Sequence, residues 1–152
     1  MNKWDLRFME MAALVASWSK DPSAKIGAVI VKNKKVVGIG YNGFPKGVID
    51  SDDRLFNREV KLNLVVHAEV NACLDAGRDA AGATIYVYPT LMKPNICPEC
   101  AKVAAQSGIK EVVGVEGPVI DRWQEKAEYS KLILEEAGIQ HRTISKEVIN
   151  NK

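Results

Sequence analysis

The chain has 152 residues, 47% of them hydrophobic and 26% charged, the proportions of an ordinary globular domain large enough to bury a core unaided. Its 21 basic and 19 acidic residues leave a net charge of +2, too balanced for an extended nucleic-acid surface but compatible with one small anionic ligand. No apolar run approaches the roughly 18 residues of a membrane span, nothing after Met1-Asn2-Lys3 resembles a secretory core, and three cysteines make no disulfide framework, so a reducing, cytoplasmic setting with no membrane or nucleic-acid partner is expected.

A single domain over residues 1–152 is expected, its polar tail fraying from about residue 146. From Trp4 to about Ser19, the residues Leu6, Met9, Ala13 and Ala16 mark one helical stripe, with Val15 and Trp18 beside it. Asp21-Pro22 ends that helix, because a residue before proline resists helical dihedrals. Two β-branched runs follow, Ile26–Val31 and Val36–Tyr41, joined by the polar Lys32–Lys35 into a hairpin. Asn42–Gly47 is a loop by composition, and residues 48–64 read as loop plus one short helix.

A helix opening at His67 runs to Gly77, then a strand covers Thr84–Tyr88 and a proline-bearing loop covers Pro89–Ile96. A second helix opens at Cys97 and stops at Gly108; a buried strand follows at Val112–Val115. Trp123, Ala127, Ser130, Leu134 and Ala137 form a last helical stripe before Gly138, and His141–Ile144 is an edge strand. Alternating strands and helices after the hairpin predict an α/β fold with a mostly parallel sheet covered on both faces, the opening hairpin being its only antiparallel pair.

The chemistry concentrates in His67-Ala68-Glu69 and Cys97-Pro98-Glu99-Cys100. One imidazole and two thiols are good ligands for Zn²⁺, which a catalytic site holds by three protein groups with the fourth position left to water. Glu69 is then free to move protons. If each motif half opens a helix, His67 and Glu69 both reach one ion from the first turn, and Cys97 and Cys100 share a face, with Pro98 at the first helical position. The positive ends of both helices favour thiolate. A lone C-x-x-C also reads as a redox pair or half of a structural zinc site, but neither accounts for a histidine and glutamate about 30 residues upstream. Cys73, left over, reads as a small buried hydrophobe.

The H-x-E and C-x-x-C pair is the signature of zinc nucleobase deaminases, with Ile96 standing where the pattern has proline. With Ser19-Lys20-Asp21-Pro22, Lys25–Val31 and Gly40-Tyr41-Asn42-Gly43-Phe44-Pro45-Lys46-Gly47, the chain resembles the cytidine/deoxycytidylate deaminase superfamily from about residue 4 to 145, and within it the deoxycytidylate subgroup. The resemblance implies a three-layer α/β/α fold with a five-stranded mixed sheet, hydrolysis of dCMP to dUMP for dTTP supply, and a homo-oligomer, commonly a hexamer. It implies activation by dCTP with Mg²⁺ and inhibition by dTTP, associated with Gly43, Lys46 and Gly47 of the loop and with Arg78. It also makes Asn42 a sugar-binding residue and adds Ala68 to the substrate-facing set.

A substrate phosphate needs donors, and Ser19, Lys20, Ser23 and Lys25 lie around one loop able to supply them, although a solvated loop explains them equally well. Lys46, Arg54, Arg58, Lys61 and Arg78 are candidates for a triphosphate effector or simply a charged face. Two other readings stay open: a deaminase of cytidine or of tRNA adenosine, and a catalytically silent zinc-binding assembly module.

Overall fold

The computed structural model describes residues 2–117 and 124–145; Trp123 and the expected fraying of the tail lie outside them. Helix α1 spans Lys3–Ala16 and is capped by Asn2, whose Oδ1 accepts from the backbone N–H of Trp4 and Asp5 at 2.9 and 3.0 Å. It stops at Ala16 rather than Ser19 because the amides of Ser17, Trp18 and Ser19 turn to carbonyls three residues back, tightening the last turn. Its buried side carries Asp5, Phe8, Met9, Ala12, Val15 and Ala16, a stripe rotated from the predicted one, and Trp18 is exposed. The rotation follows from Asp5, a charged residue drawn inward by partners far along the chain.

Strands β1 (Gly27–Lys32) and β2 (Lys35–Tyr41) form the expected hairpin. Its two-residue turn, Asn33-Lys34, has positive φ at both positions, which matches the right-handed twist of the strands. Two short helices, α2 (Asp52–Leu55) and α3 (Arg58–Leu64), occupy the stretch predicted as loop with one helix. Then come α4 (Ala68–Ala76), a 3₁₀ turn (Gly77–Ala80), β3 (Thr84–Tyr88), α5 (Pro98–Ser107), β4 (Glu111–Val115), α6 (Gln124–Glu136) and β5 (Gln140–Ile144).

The sheet order is β2-β1-β3-β4-β5. The β3–β4 and β4–β5 pairs are parallel, but β1 is antiparallel to both neighbours, which corrects the expectation of one antiparallel pair in a mostly parallel sheet. The crossover from β2 through α4 does make β2 and β3 run the same way. Because β1 lies between them, β3 bonds to β1 instead, and the pair is antiparallel.

Alternate residues of the strands feed two separate cores. On one face Ala28, Ile30, Ile85, Val87 and Val112 meet α4, α5 and α6; on the other Val29, Val31, Tyr86, Val113 and Val115 meet α1. The result is the three-layer α/β/α arrangement. Helix α4 lies directly on β2 because Gly38 and Gly40 have no side chain: a Cβ at Gly40 would collide with backbone of Ala68 and Ala72, and one at Gly38 would stand 2.7 Å from the Ala72 carbonyl. Among the described residues no helix is long and apolar enough to cross a membrane.

Candidate active site

The two motif halves meet at the N-termini of α4 and α5. His67 is the N-cap residue of α4 and Cys97 that of α5, so each helix begins one residue after its first ligand. Pro98 takes the first helical position of α5, where its missing N–H leaves no bond unmade. Neither side chain makes the ordinary capping hydrogen bond; both turn instead toward a shared point. His67 Nδ1 lies 3.3 Å from Cys100 Sγ and 3.4 Å from Cys97 Sγ, and the three ligand atoms fall within 4.8 Å of one another.

That spacing fits a zinc ion. Tetrahedral Zn–N and Zn–S bonds of about 2.0 and 2.3 Å imply an N···S edge of about 3.5 Å. The chemistry of the donors agrees. Hydrogen bonds from Cys100 and then His67 bring the Cys97 thiol down to about 4, so a thiolate is present to meet a cation. The same contact with Cys97, together with burial, holds the Cys100 thiol well above its ordinary range. His67 is raised, chiefly by its hydrogen bond with Cys97. Glu69 is 8% exposed, and its carboxyl is pushed up by burial first and by the Cys97 charge second. A buried carboxyl of raised pKa is suited to holding and releasing a proton.

The triad opens into a cavity of about 270 Å³. Glu69, His67, Ala68 and Cys97 line one part; Val87, Leu91, Met92 and Ile96 supply apolar wall; Asp21, Ser23, Asn42, Arg58 and Lys61 bring the polar groups. Of the residues expected at the substrate, Ala68, Asn42 and Ser23 therefore border the cavity. Ser19, Lys20 and Lys25 do not. The buried Ser19 hydroxyl donates to the Asn42 carbonyl at 2.8 Å, Lys20 pairs with Asp50 at 2.9 Å, and Lys25 is exposed.

Asn42 is buried and largely engaged: its Oδ1 accepts from Ile26 N–H at 2.8 Å, and Nδ2 donates to the Ala24 carbonyl at 2.8 Å and Asp21 Oδ2 at 3.4 Å. Asp21 is a hub the sequence does not reveal, standing there only as the residue before a proline and as part of the Ser19–Pro22 stretch that carries the resemblance. Its Oδ1 accepts from Ser23 N–H, Ala24 N–H and Lys61 Nζ, the last at 3.1 Å with both side chains buried. Asn95, also unremarked in the sequence, ties the Pro89–Ile96 loop to the sheet by donating to the carbonyls of Val112 and Arg142 at 3.4 and 2.9 Å.

The residues associated with an effector are dispersed. Gly43 pairs with Val66 and lines a second, smaller cavity of about 160 Å³ with Trp18, Tyr41, Phe44 and Lys20. Lys46, Gly47 and Arg78 are exposed and border neither cavity. Arg58 and Lys61, grouped with them in the sequence reading, border the larger cavity instead.

Residues 2–116 match the family model for the cytidine and deoxycytidylate deaminase zinc-binding region. An uncharacterised deaminase from the luxG 3′ region of Aliivibrio fischeri is 43% identical over 144 residues, 92% of each chain. The human deoxycytidylate deaminase is 38% identical over 151 residues, covering 92% of this chain and 79% of that one. Among solved structures, the dCMP deaminase of cyanophage S-TIM5 in complex with dCMP and dUMP superposes with a TM-score of 0.72 at 24% identity, over 95% of this chain and 99% of that one. It shares the fold. Acinetobacter baumannii RibD matches 98% of this chain and 37% of its own, with a TM-score of 0.64.

Proposed function

Since the chain belongs to the cytidine and deoxycytidylate deaminase zinc-binding family, we propose that it hydrolyses dCMP to dUMP and ammonia. The observation that carries the reading is the buried Glu69 carboxyl beside a His67–Cys97–Cys100 triad of zinc-binding geometry, at the wall of a cavity. The choice of dCMP is supported by relatives at 38–39% identity named as deoxycytidylate deaminases.

His67, Cys97 and Cys100 would hold the zinc, which when bound lowers the pKa of water far enough for attack near neutral pH. Glu69 takes a proton from the attacking water and gives it to pyrimidine N3, making C4 more electrophilic. Once the oxygen has bonded to C4, Glu69 takes the second proton from the C4 hydroxyl and delivers it to the exocyclic amine, so that the C4–N bond breaks, ammonia leaves and the C4 carbonyl forms. Val87, Leu91, Met92 and Ile96 exclude water from the flat ring. Two donors and one acceptor lone pair of Asn42 are engaged in holding the loop, which leaves one lone pair on Oδ1 to accept from a sugar hydroxyl.

Supply of dTTP precursors and control by dCTP with Mg²⁺ and by dTTP belong to the same reading. The smaller cavity, with Gly43 in its wall and the aromatic rings of Trp18 and Tyr41 set edge to face at 6.2 Å, supports an effector site. Exposed Leu74, Tyr129 and Leu132 support association into a homo-oligomer, a hexamer in our reading, and a cytoplasmic setting agrees with three unpaired cysteines. The test is ammonia release by metal-analysed protein from dCMP, deoxycytidine, cytidine and tRNA, with and without dCTP and dTTP. Turnover of dCMP above the others is expected; turnover of cytidine alone would overturn the choice of substrate.

A further inference from the structure

Positive charge gathers at the end of the molecule away from the larger cavity. Lys3 and Arg7 of α1 and Lys34 of the β1–β2 turn bring their charged groups to 5.8, 4.8 and 5.0 Å from the centroid of one indole, that of the half-buried Trp4. Lys32 and Lys35 close the same turn. None of the five forms an ion pair among the described residues. Asp5 and Glu111, carboxylates of α1 and β4, are bound to Arg142. The helix end itself is not the attraction, since Asn2 already accepts from two of its free amides.

This clustering works against the fold. Lys34 holds a φ of +62°, a left-handed conformation that glycine would adopt without strain. Lys32 and Lys35 stand directly opposite each other in the ladder, where like charges repel. Charges kept in such positions at a cost to stability point to a use outside the fold. The place is also separate from the chemistry. Helix α1 runs 14 residues from Lys3 before the chain reaches Ser19, which bonds to Asn42 at the cavity wall. At 1.5 Å per residue that is about 20 Å.

We infer that this end is a docking surface for an acidic segment of another protein, with two or three carboxylates in one short stretch. Carboxylates suit it because lysine and arginine offer them charge-assisted hydrogen bonds, and the indole holds the cations in place beforehand. A nucleic-acid strand suits it less. Such a strand stacks bases on open aromatic faces and follows a stripe of charge. Here Phe8 stacks against Trp4 at 6.0 Å, the cations lie over the ring, and the charge is one compact cluster. Docking at this end leaves the cavity mouth clear, so the enzyme is tethered without being blocked. The inference does not depend on which substrate the cavity takes.

The test uses zinc-loaded, full-length protein and fluorescein-labelled hexaglutamate, followed by fluorescence anisotropy at low salt. Wild-type protein should bind the peptide. Arg7→Gln/Lys34→Gln should weaken it about 10-fold, the weight of two exposed charge contacts, with kcat for dCMP unchanged. Lys126→Gln/Lys131→Gln removes the same charge from the exposed face of α6 and should leave the affinity nearly unaltered. Lys34→Gly relieves the turn, so it should raise the melting temperature while weakening the peptide, which separates lost docking from lost folding. No binding by wild type, or equal weakening by the two double variants, would overturn the inference. So would tighter binding of an oligothymidylate of equal charge, which would make the partner a nucleic acid. A fall in oligomer mass in Arg7→Gln/Lys34→Gln would overturn it too, by making the occupant a second copy of this chain.

Discussion

The two faces of the sheet solve different problems. The face that carries the site is built from small residues: Ala68, Ala72, Ala76, Ala80, Ala101 and Ala104 pack on β2, β1 and β3, with Gly38 and Gly40 beneath α4. The opposite face has one close approach of its own, Gly27 against the backbone of Ala12 and Ala16, but is otherwise built from larger side chains. There Phe8 stacks near Trp4 and Tyr86, and Asp5 is held by Tyr86 Oη at 2.7 Å and by two nitrogens of Arg142 at 2.8 Å each. Arg142 reaches on to Glu111 at 3.0 Å. Close backbone approach fixes where ligands stand, whereas bulk and ion pairing fix how firmly the first helix and last strand are joined. Site geometry and bulk stability are thus assigned to opposite sides of one sheet.

The largest effect that would separate the two faces comes from Glu69→Gln. If Glu69 carries the proton as proposed, its removal should lower turnover about 10²- to 10⁴-fold with zinc content and melting temperature unchanged; a variant with wild-type turnover would remove Glu69 from the chemistry. Gly40→Ala comes next. Its methyl must lift α4 off β2, and overpacking of this kind destabilises by about 3 kcal/mol. Because α4 carries Ala68 and Glu69 and follows His67, both the denaturation midpoint and the zinc content should fall.

Asp5→Asn should behave in the opposite way, lowering stability by about 2 kcal/mol while the kcat of the remaining folded enzyme stays put. The figure lies below that of a fully buried pair because Arg142 is 39% exposed and partly screened by solvent. Its pH dependence sharpens the comparison. The Arg142 hydrogen bonds hold the Asp5 carboxyl below its ordinary 3.8. A depressed carboxyl stabilises the fold fully above its unfolded value and progressively less as pH falls through its folded one. The stability gap between wild type and Asp5→Asn, followed by urea titration, should therefore close below about pH 4 and persist at neutral pH. The smallest effect belongs to Asn95→Ala, which frees the loop before Cys97: zinc affinity, measured by chelator competition, should fall about 10-fold, and global stability by about 1 kcal/mol for the two carbonyls left without their donor.

How far these features could be read in advance depended on range along the chain. The ligand set needs only local spacing plus helix starts, and His67, Glu69, Cys97 and Cys100 fall together as the sequence indicates. The hairpin and the α5 stop at Gly108, with φ of +83°, are equally local. The α1 stripe was misread because Asp5 looks like a solvent residue until Arg142, 137 positions away, is seen beside it. The antiparallel β1–β3 pair escapes the sequence because the order of elements gives the direction of each strand but not which strand lies between. The Asp21–Lys61 contact spans 40 residues of mixed composition and leaves no pattern to find.

A last consequence follows from the way α4 and α5 begin. Residues chosen to grip an ion sit where serine, threonine, aspartate or asparagine would ordinarily tether the first free amides, a substitution that weakens a helix start by about 1 kcal/mol. Both helices therefore start without an ordinary cap, and a single cation held by His67, Cys97 and Cys100 would cinch them together at one knot. Stripping it with a chelator should loosen α4 and α5 in concert, visible as faster amide exchange over both first turns while α1, across the sheet, keeps its protection.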